Sequence, residues 1–403
     1  MNNSRNPPDF IVRPAGPEDY TQAGELAAGV FSHGDPRFYE HFLHHWMASR
    51  PYEPGFDYRL HRLGVKEGQV VAHLRVRPYT LRYGTAQIHV GGISEACTYP
   101  RFRKQGYSGM LLQESIAFLT EQGAHLALLN SSSSYYDRYS FSPVWPYYYL
   151  EIDSDAAAAL AAPLKLRDVR AADVPGMAAL YERHWEGRVT FARDPRLWLW
   201  RVASAEHPYQ QVVEDANRQI CGYIAGYGLT DERIEALADT PEAALTILQA
   251  GGEAYQQAGL KTLRWLIPPD DPLVSFARQY LTVTVSARYL PRGGWMARLI
   301  DPGGFISTLL PEIIAQAASS DPTFDADSLV VEPGGSGVQI GLRKRPDTLC
   351  QLNYYDFIQV VFGSLRPAAL AVRPYSQIQP AGRRLLELLF PPRMAVLGCW
   401  DWF

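Results

Sequence analysis

Two stretches of the chain carry the short apolar runs and turn residues of β-hairpins. One runs through YRLHRLGVKEGQVVAHLRVRPYTL (58–81) and reverses at Glu67-Gly68; the other is QVVEDANRQICGYIAGYGL (211–229), reversing near Asn217. Both predict antiparallel strands joined by tight turns. A different rhythm follows the first of them. An extended segment from Gly92 to Thr98 leads into Leu111, Leu112, Ile116 and Leu119, whose spacing gives a helix an apolar face, and Gly123 stands where a C-cap belongs. LALLN (126–130) then reads as a strand.

The same order of elements occurs twice. Arg13, Asp19 and Leu26 in RPAGPEDYTQAGEL are matched by Arg167, Asp173 and Leu180 in RDVRAADVPGMAAL, at an offset of 154 residues. Each reads as a strand end, a loop and the start of an amphipathic helix. The helix-bearing units also correspond. CTYPRFRKQGYSGMLLQESIAFLTEQGAHLALLN and ADTPEAALTILQAGGEAYQQAGLKTLRWLI both read strand, Thr and Pro, helix, Gly cap, strand. Pro100 to Gly123 spans 23 residues, whereas Pro241 to Gly259 spans 18, so the first copy holds about five extra residues around RFRKQGYS. Self-similarity on this scale predicts a duplicated fold. From Asp301 the pattern changes: GGFISTLLPEIIAQAA reads as a helix, SLVVEP, GVQIGLRKR and TLCQLNYY as short strands, and YDFIQVVFGSL and AGRRLLELLF as helices. The division expected is 1–150, 151–300 and 301–403.

At 403 residues the chain is too long for one compact core, and 47% apolar with 20% charged residues is ordinary for a globular protein. A net charge of -4 gives no reason to expect nucleic acid or an anionic membrane as partner. Cys97, Cys221, Cys350 and Cys399 are far apart and form no CxxC pair, which argues against structural zinc and fits reduced thiols in a cytoplasm. MNNSRNPPDF lacks the apolar stretch of a signal peptide, and no window reaches the ~18–20 apolar residues that span a bilayer. A soluble cytoplasmic protein is expected.

Arg103-Lys104-Gln105-Gly106-Tyr107-Ser108 joins the extended segment to its helix. Glycine lets successive N–H groups turn toward one point, the helix N-terminus adds partial positive charge, and Arg103 and Lys104 bring two cations. A diphosphate suits that arrangement. A short R-x-x-G-x-S stretch is more often a solvated basic turn, but its place between strand and helix raises its weight. The segment resembles the acetyl-CoA site of the GNAT acyltransferases, whose signature is (Q/R)-x-x-G-x-(G/A). Arg103 and Gly106 match, and Ser108 stands where Gly or Ala is usual. The resemblance implies that Arg103, Lys104, Gln105, Gly106, Tyr107 and Ser108 bind acetyl-CoA. It also implies that the backbone of Ala96, Cys97 and Thr98 pairs with the pantetheine arm and that Asn130 and Ser131 line the same site. Direct transfer needs no nucleophile, so Cys97 reads as a small strand residue.

Transfer from a thioester to an amine needs a deprotonated amine, a donor for the oxyanion and a proton for the departing thiolate. In SSSSYYDRYSF, Tyr136 and Arg138 resemble the family's Y-x-R-x-G-F pattern, with Ser140 in place of the usual Gly. Tyr136 is then the acid, with Tyr135 as fallback. For the base, GNAT enzymes often use a Glu on the central strand, which here is Glu95. The chain ends MAVLGCWDWF, a hydrophobic end strand whose carboxylate is either at the surface or buried. Burial would be costly unless a cation faced it.

A wider resemblance covers essentially the whole length. Two GNAT-like halves, a C-terminal domain similar to sterol carrier proteins and an aromatic last residue resemble the enhanced intracellular survival (Eis) acetyltransferases. In those enzymes, as in the N-myristoyltransferases, the C-terminal carboxylate is the base, which implies Phe403 here and Glu95 as the alternative. The resemblance further implies a homo-hexamer. Its acceptor would be a small-molecule amine of polyamine or aminoglycoside type, or a lysine side chain. Phe31, His33, Asp35, Trp198, Trp200, Asp401 and Trp402 are the residues expected to line an acidic, aromatic amine pocket. Trp402 stands where related enzymes commonly carry an acid.

His33, His41, His44 and His45 cluster in sequence, and His41 with His45 has a helical ligand spacing. The glutamate of an HExxH site is missing, so no metal is expected. The expected fold is α/β (α+β), tandem GNAT acyltransferase folds with a C-terminal sterol-carrier-protein-like α+β domain. The expected function is acetyl-CoA-dependent N-acetylation by direct transfer through a ternary complex. Its rivals are an N-acyltransferase for a longer acyl chain and a non-catalytic CoA- or lipid-binding protein. Neither nucleic acid nor a membrane is an expected partner.

Overall fold

The structure, a computed structural model, describes residues 9–204, 207–373, 376–395, 397, 398 and 401. The chain forms two compact units. One holds the residues up to Tyr79 together with His89–Asn130; the other holds Thr80–Ile88 together with the residues from Ser131 onward. The expected divisions at residues 150 and 300 both fall inside the second unit.

The first unit is built on β1 (Phe10–Pro14), β2 (His61–Lys66), β3 (Gln69–Tyr83), β4 (Ala86–Thr98) and β5 (Leu126–Ser131), hydrogen-bonded in that order. The outer ends of β3 and β4 extend into the second unit. The β2–β3 hairpin turns where the sequence predicts. Glu67 and Gly68 have φ of 50° and 79°, and two left-handed residues match a tight turn to the twist of its strands. Helices α1 (Tyr20–Phe31) and α2 (Pro36–Ala48) are tied by a reciprocal pair of bonds. The Tyr20 hydroxyl donates to the Trp46 carbonyl at 3.0 Å, and the Trp46 indole donates to the Tyr20 carbonyl at 3.2 Å. Helix α3 (Tyr107–Glu121) connects β4 to β5, the only parallel pair described in this unit. A parallel pair requires such a crossover.

The second unit begins with β6 (Ser142–Trp145), β7 (Tyr147–Asp153), α4 (Ser154–Ala158), β8 (Leu166–Asp168), α5 (Val174–His184), β9 (Val189–Ala192) and α6 (Pro195–Ala203). It continues through β10 (Tyr209–Glu214), β11 (Ile220–Gly226), β12 (Glu235–Ala238), α7 (Pro241–Gln257), β13 (Thr262–Trp265), α8 (Pro272–Tyr280), β14 (Val283–Arg288) and β15 (Gly294–Leu299). Strands β12-β11-β10-β8 form one antiparallel sheet and β13-β7-β14 another. From residue 301 come α9 (Pro302–Ser320), β16 (Leu329–Pro333), β17 (Gly337–Leu342), β18 (Arg345–Asn353), α10 (Tyr354–Val361), β19 (Gln377–Ile378) and α11 (Pro380–Leu389). Strands β16 to β19 make a four-stranded antiparallel sheet in sequence order.

The repeated Arg and Asp make the same local structure in both places. Arg13 grips Asp19 through two bonds of 2.6 and 2.8 Å, and Arg167 grips Asp173 at 2.7 and 2.8 Å. In each copy the Asp carboxylate also accepts a backbone N–H three residues upstream, from Gly16 at 2.8 Å or Arg170 at 2.7 Å. A fork-to-fork pair of this kind fixes the turn by which a strand enters its helix. Among the described residues, no helix is long and apolar enough to cross a membrane.

Candidate functional site

Residues 99–106 lie between β4 and α3. Lys104 and Gly106 have φ of 63° and 86°, so the backbone turns twice through the left-handed region before the helix begins. No side chain caps α3 at Gly106. The Gly109 and Met110 N–H groups donate to the Gly106 carbonyl at 3.0 and 3.1 Å, which leaves those of Tyr107 and Ser108 without an acceptor inside the helix, and the helix dipole adds partial positive charge there. A side-chain carbon added at Gly106 would meet nothing within 4 Å. Glycine is demanded by the backbone angle, and the space above it is open to an approaching group. Arg103 and Lys104 are exposed beside it. These features fit a diphosphate. Gln105 is also exposed, Ser108 is half-buried, and Tyr107 is buried with its ring stacked on Phe10 at 3.9 Å, which anchors the first turn of α3.

The strand before this loop is free along one edge. The β4–β5 ladder runs from Val90↔Leu126 to Ile93↔Leu129 and ends there, although β4 continues to Thr98. Ala96, Cys97 and Thr98 lie beyond the last pair. Arg103 folds back so that its Nε donates to the Thr98 carbonyl at 3.1 Å, fixing the far end of the segment. Cys97 is 7% exposed and packs in the core with Leu63, Val65 and Val70. Burial pushes its thiol up, and Glu95 adds to the effect, so it is no nucleophile. Asn130 is half-buried at the end of β5, and the Ser131 hydroxyl is engaged with the backbone of Ser133.

Glu95 has φ of 54° inside β4, which breaks the regular pleat. Its carboxylate pairs with Arg50. Burial works against its ionisation, but Arg50 and Arg75 outweigh burial and hold the carboxyl below its usual range. A carboxylate so held is a weak proton acceptor. Around it lies a buried polar array. Glu53 pairs with both Arg75 and Arg77, and His61 Nδ1 lies 3.0 Å from His73 Nε2. His73 Nδ1 is 3.3 Å from the Glu95 carbonyl. Burial lowers His73 to about 4 and His61 well below its usual range, so both rings are neutral at neutral pH. Ligand atoms of His61, His73 and Glu95 lie within 4.8 Å of one another. Three guanidinium groups surround them, however, and the array reads as a hydrogen-bond network rather than a dication site. The sequence reading singled out Glu95 alone. The signal for the others was His73, Arg75 and Arg77 at every second position of β3, which places all three on one face of the strand.

Tyr136 belongs to a 3₁₀ turn, Ser134–Tyr139, started by the Ser133 hydroxyl accepting the Tyr135 N–H at 3.0 Å. Its half-buried ring stands edge-on to Tyr135 and Phe141. Ser140 closes the turn at φ of 63°, which explains why glycine suits that place in the motif. Arg138 lies over the Tyr135 ring at 4.1 Å. A cavity of about 990 Å³ opens beside this turn, lined by Asp137, Arg292, Gln339, Gln351, Tyr355 and Asp356 among others.

Of the residues expected around the amine, Phe31, His33 and Asp35 belong to the first unit and Trp198, Trp200 and Asp401 to the second. Phe31 is half-buried against Phe42, His33 is exposed, and Asp35 caps α2 by accepting the Arg37 and Phe38 N–H groups. Of the neighbouring histidines, His41 and His44 are exposed and His45 is buried. Trp198, expected in the pocket, is 1% exposed and packs in a core with Tyr181 and Tyr223. Trp200 is half-buried on α6. Asp401, also expected there, is buried instead in an ion cluster. Arg193 donates to it at 3.0 and 2.7 Å and to Glu235 at 2.7 and 2.6 Å. A committed anion of this kind has no ammonium to meet. Near the chain end Ala395 makes an isolated parallel bridge to Val189, and the Asp401 N–H donates to the Gly398 carbonyl at 2.9 Å. Trp402 and Phe403 lie outside the described residues.

Residues 11–144 match the family model described as acetyltransferase (GNAT) domain. No curated protein matches the sequence. Solved structures match over nearly the full chain. A GCN5-related N-acetyltransferase from Anabaena variabilis is 15% identical with a TM-score of 0.67, covering 98% of this chain and 100% of its own. A probable N-acyltransferase from Enterococcus faecalis is 13% identical with a TM-score of 0.67 over 98% and 100% of the two chains. Eis1 from Mycobacterium abscessus is 17% identical with a TM-score of 0.59 over 97% and 99%. At such identities the likeness is one of fold. Residues 11–144 therefore match a GNAT acetyltransferase domain, and the chain as a whole shares the fold of these GNAT-type structures.

Proposed function

We propose that the chain transfers the acetyl group of acetyl-CoA directly to an amine of a polycationic small molecule or a lysine side chain, in the manner of the Eis-type enzymes. The observation that carries this reading is the uncapped N-terminus of α3, with two left-handed turns, two cations and a freed strand end beside it. Bound acetyl-CoA supplies the acetyl thioester. A carboxylate takes the proton of the attacking amine, and we assign that role to Phe403 by resemblance. The hold of Arg50 on Glu95 supports a base other than Glu95. As the C–N bond forms and the C–S bond breaks, the Tyr136 hydroxyl gives its proton to the departing sulfur. The cationic acceptor is assigned by resemblance alone, because Asp137 and Asp356 in the cavity beside the Tyr136 turn already lie against Arg292 and Arg373.

The test is release of free CoA thiol from acetyl-CoA by the untagged chain across aminoglycosides, polyamines and lysine peptides. Release is expected to depend on the amine, to fall by a factor on the order of 10² or more in Tyr136→Phe, and to fall again when Phe403 is deleted. Thiol release that no amine stimulates, from a chain that binds CoA, would overturn the assignment.

A further inference from the structure

We infer that His61 and His73 are positioning residues for the acyl donor: their hydrogen-bonded pair locks the bulge at Glu95 that parts β4 from β5. The inference rests on acetyl-CoA as donor and on neither the base nor the acceptor.

The chain of reasoning starts from the backbone. Glu95 is an L-residue at φ of 54° inside a strand, a conformation that persists only where the surroundings hold it. The last β4–β5 pair, Ile93↔Leu129, stands two residues before it. Three residues after it, the Thr98 carbonyl is held by Arg103. The free edge of Ala96–Thr98 is therefore stretched between a bulge at one end and a clamp at the other. The bulge needs restraint on both of its polar groups. Arg50 restrains the Glu95 side chain, and His73 restrains the Glu95 carbonyl.

The protons of the pair follow from its partners. A carbonyl only accepts, so His73 Nδ1 carries the proton that it donates to Glu95. His73 is neutral, so its Nε2 is an acceptor, and His61 Nδ1–H donates to it. His61 Nε2 is then a bare lone pair, and it has no partner in its fully buried site. The bonds of the pair thus run in one direction, from His61 to His73 to the Glu95 carbonyl. Trp46 stands edge-on to both rings, at 5.2 and 5.4 Å, and keeps the array in place from α2. His61 thus fixes the His73 tautomer, and His73 fixes the strand that meets the donor.

The test compares His73→Leu, which removes the donor to Glu95, with His73→Asn, whose side-chain N–H stands where Nδ1–H stood. His73→Leu is expected to raise the acetyl-CoA KM and the CoA dissociation constant about tenfold or more, with a much smaller fall in kcat, and His73→Asn to recover most of the affinity. Unchanged CoA binding in His73→Leu would overturn the inference, as would equal loss in the two variants. Should His73→Leu fail to fold, ¹⁵N NMR of the wild-type histidines decides. The inference requires His73 protonated at Nδ1 and bare at Nε2, and the opposite tautomer refutes it. CoA binding by calorimetry needs no turnover, so a wrong acceptor or base leaves this result readable.

Discussion

Gly106→Ala separates the two demands made on that residue. At φ of 86° an alanine is strained by about 1–2 kcal/mol. Nothing lies within 4 Å of the added carbon, so the protein itself supplies no further penalty. Stability should therefore fall by about 1–2 kcal/mol and no more. The added methyl does occupy the open space through which a diphosphate would reach the first N–H groups of α3. Gly123 provides a matched control at the other end of the same helix: its φ is 70° and nothing lies within 4 Å of its added carbon either. Gly123→Ala should cost the same stability and leave the donor site alone. Urea denaturation reads the first quantity, and thiol release against acetyl-CoA concentration, at saturating amine, reads the second. Gly106→Ala is expected to raise the acetyl-CoA KM about tenfold or more, equivalent to about 1.4 kcal/mol of lost binding. A KM within about twofold of wild type, or an equal rise in Gly123→Ala, would refute the placing of the diphosphate over Gly106.

Two further outcomes test other parts of the account. Arg193→Met leaves two buried carboxylates without their cation and should cost about 3–5 kcal/mol of unfolding free energy. Asp401→Asn should cost less, about 1–2 kcal/mol, because burial already pushes the Asp401 carboxyl toward its neutral form. Urea unfolding of the two variants side by side gives the order, and Asp401→Asn as damaging as Arg193→Met would contradict it. Thr240→Ala removes the cap that accepts the Ala243 N–H at 3.2 Å and should cost about 1 kcal/mol. The acetyl-CoA KM of that variant should equal that of wild type.

Much of the fold was legible because the signals were local. A turn at Glu67-Gly68, a helix stopped by Gly123 and an Arg six residues before an Asp each depend on neighbours within one turn or hairpin, and each appears in the structure as read. The form of the loop proposed to hold the donor was legible for the same reason, since a glycine between strand and helix is a local device. The array around Glu95 was not. Charged residues at alternate positions usually mark the solvated face of a strand, yet His73, Arg75 and Arg77 are all buried. Only the packing of Trp46 of α2 and of Glu53 against that face shows that it points inward. Asp401 was misread for a similar reason. Its cation, Arg193, is 208 positions away, and nothing near the chain end announces it. Trp198 shows the same limit, because an aromatic on a helix lies equally well in a core or a pocket until its neighbours are known.

The two halves differ most tellingly at equivalent helix starts. A helix offers the N–H groups of its first turn once, to a cap or to a ligand. In the second half, residues 239–240 carry β12 directly into α7. The Thr240 side chain takes the Ala243 N–H, and Pro241 brings no N–H at all. That arrangement stabilises α7 and closes its N-terminus to an anion. In the first half, residues 99–106 intervene, no side chain caps α3, and Gly106 holds the turn open at an angle alanine resists. On the proposed reading, the stability that α3 gives up there is restored by its acidic ligand. The Arg–Asp grip occurs in both halves with the same bonds, as expected of a device that only shapes the chain. The proposed donor site therefore belongs to the inserted loop and not to the fold, since in the second half the Thr240 side chain already occupies the helix N-terminus.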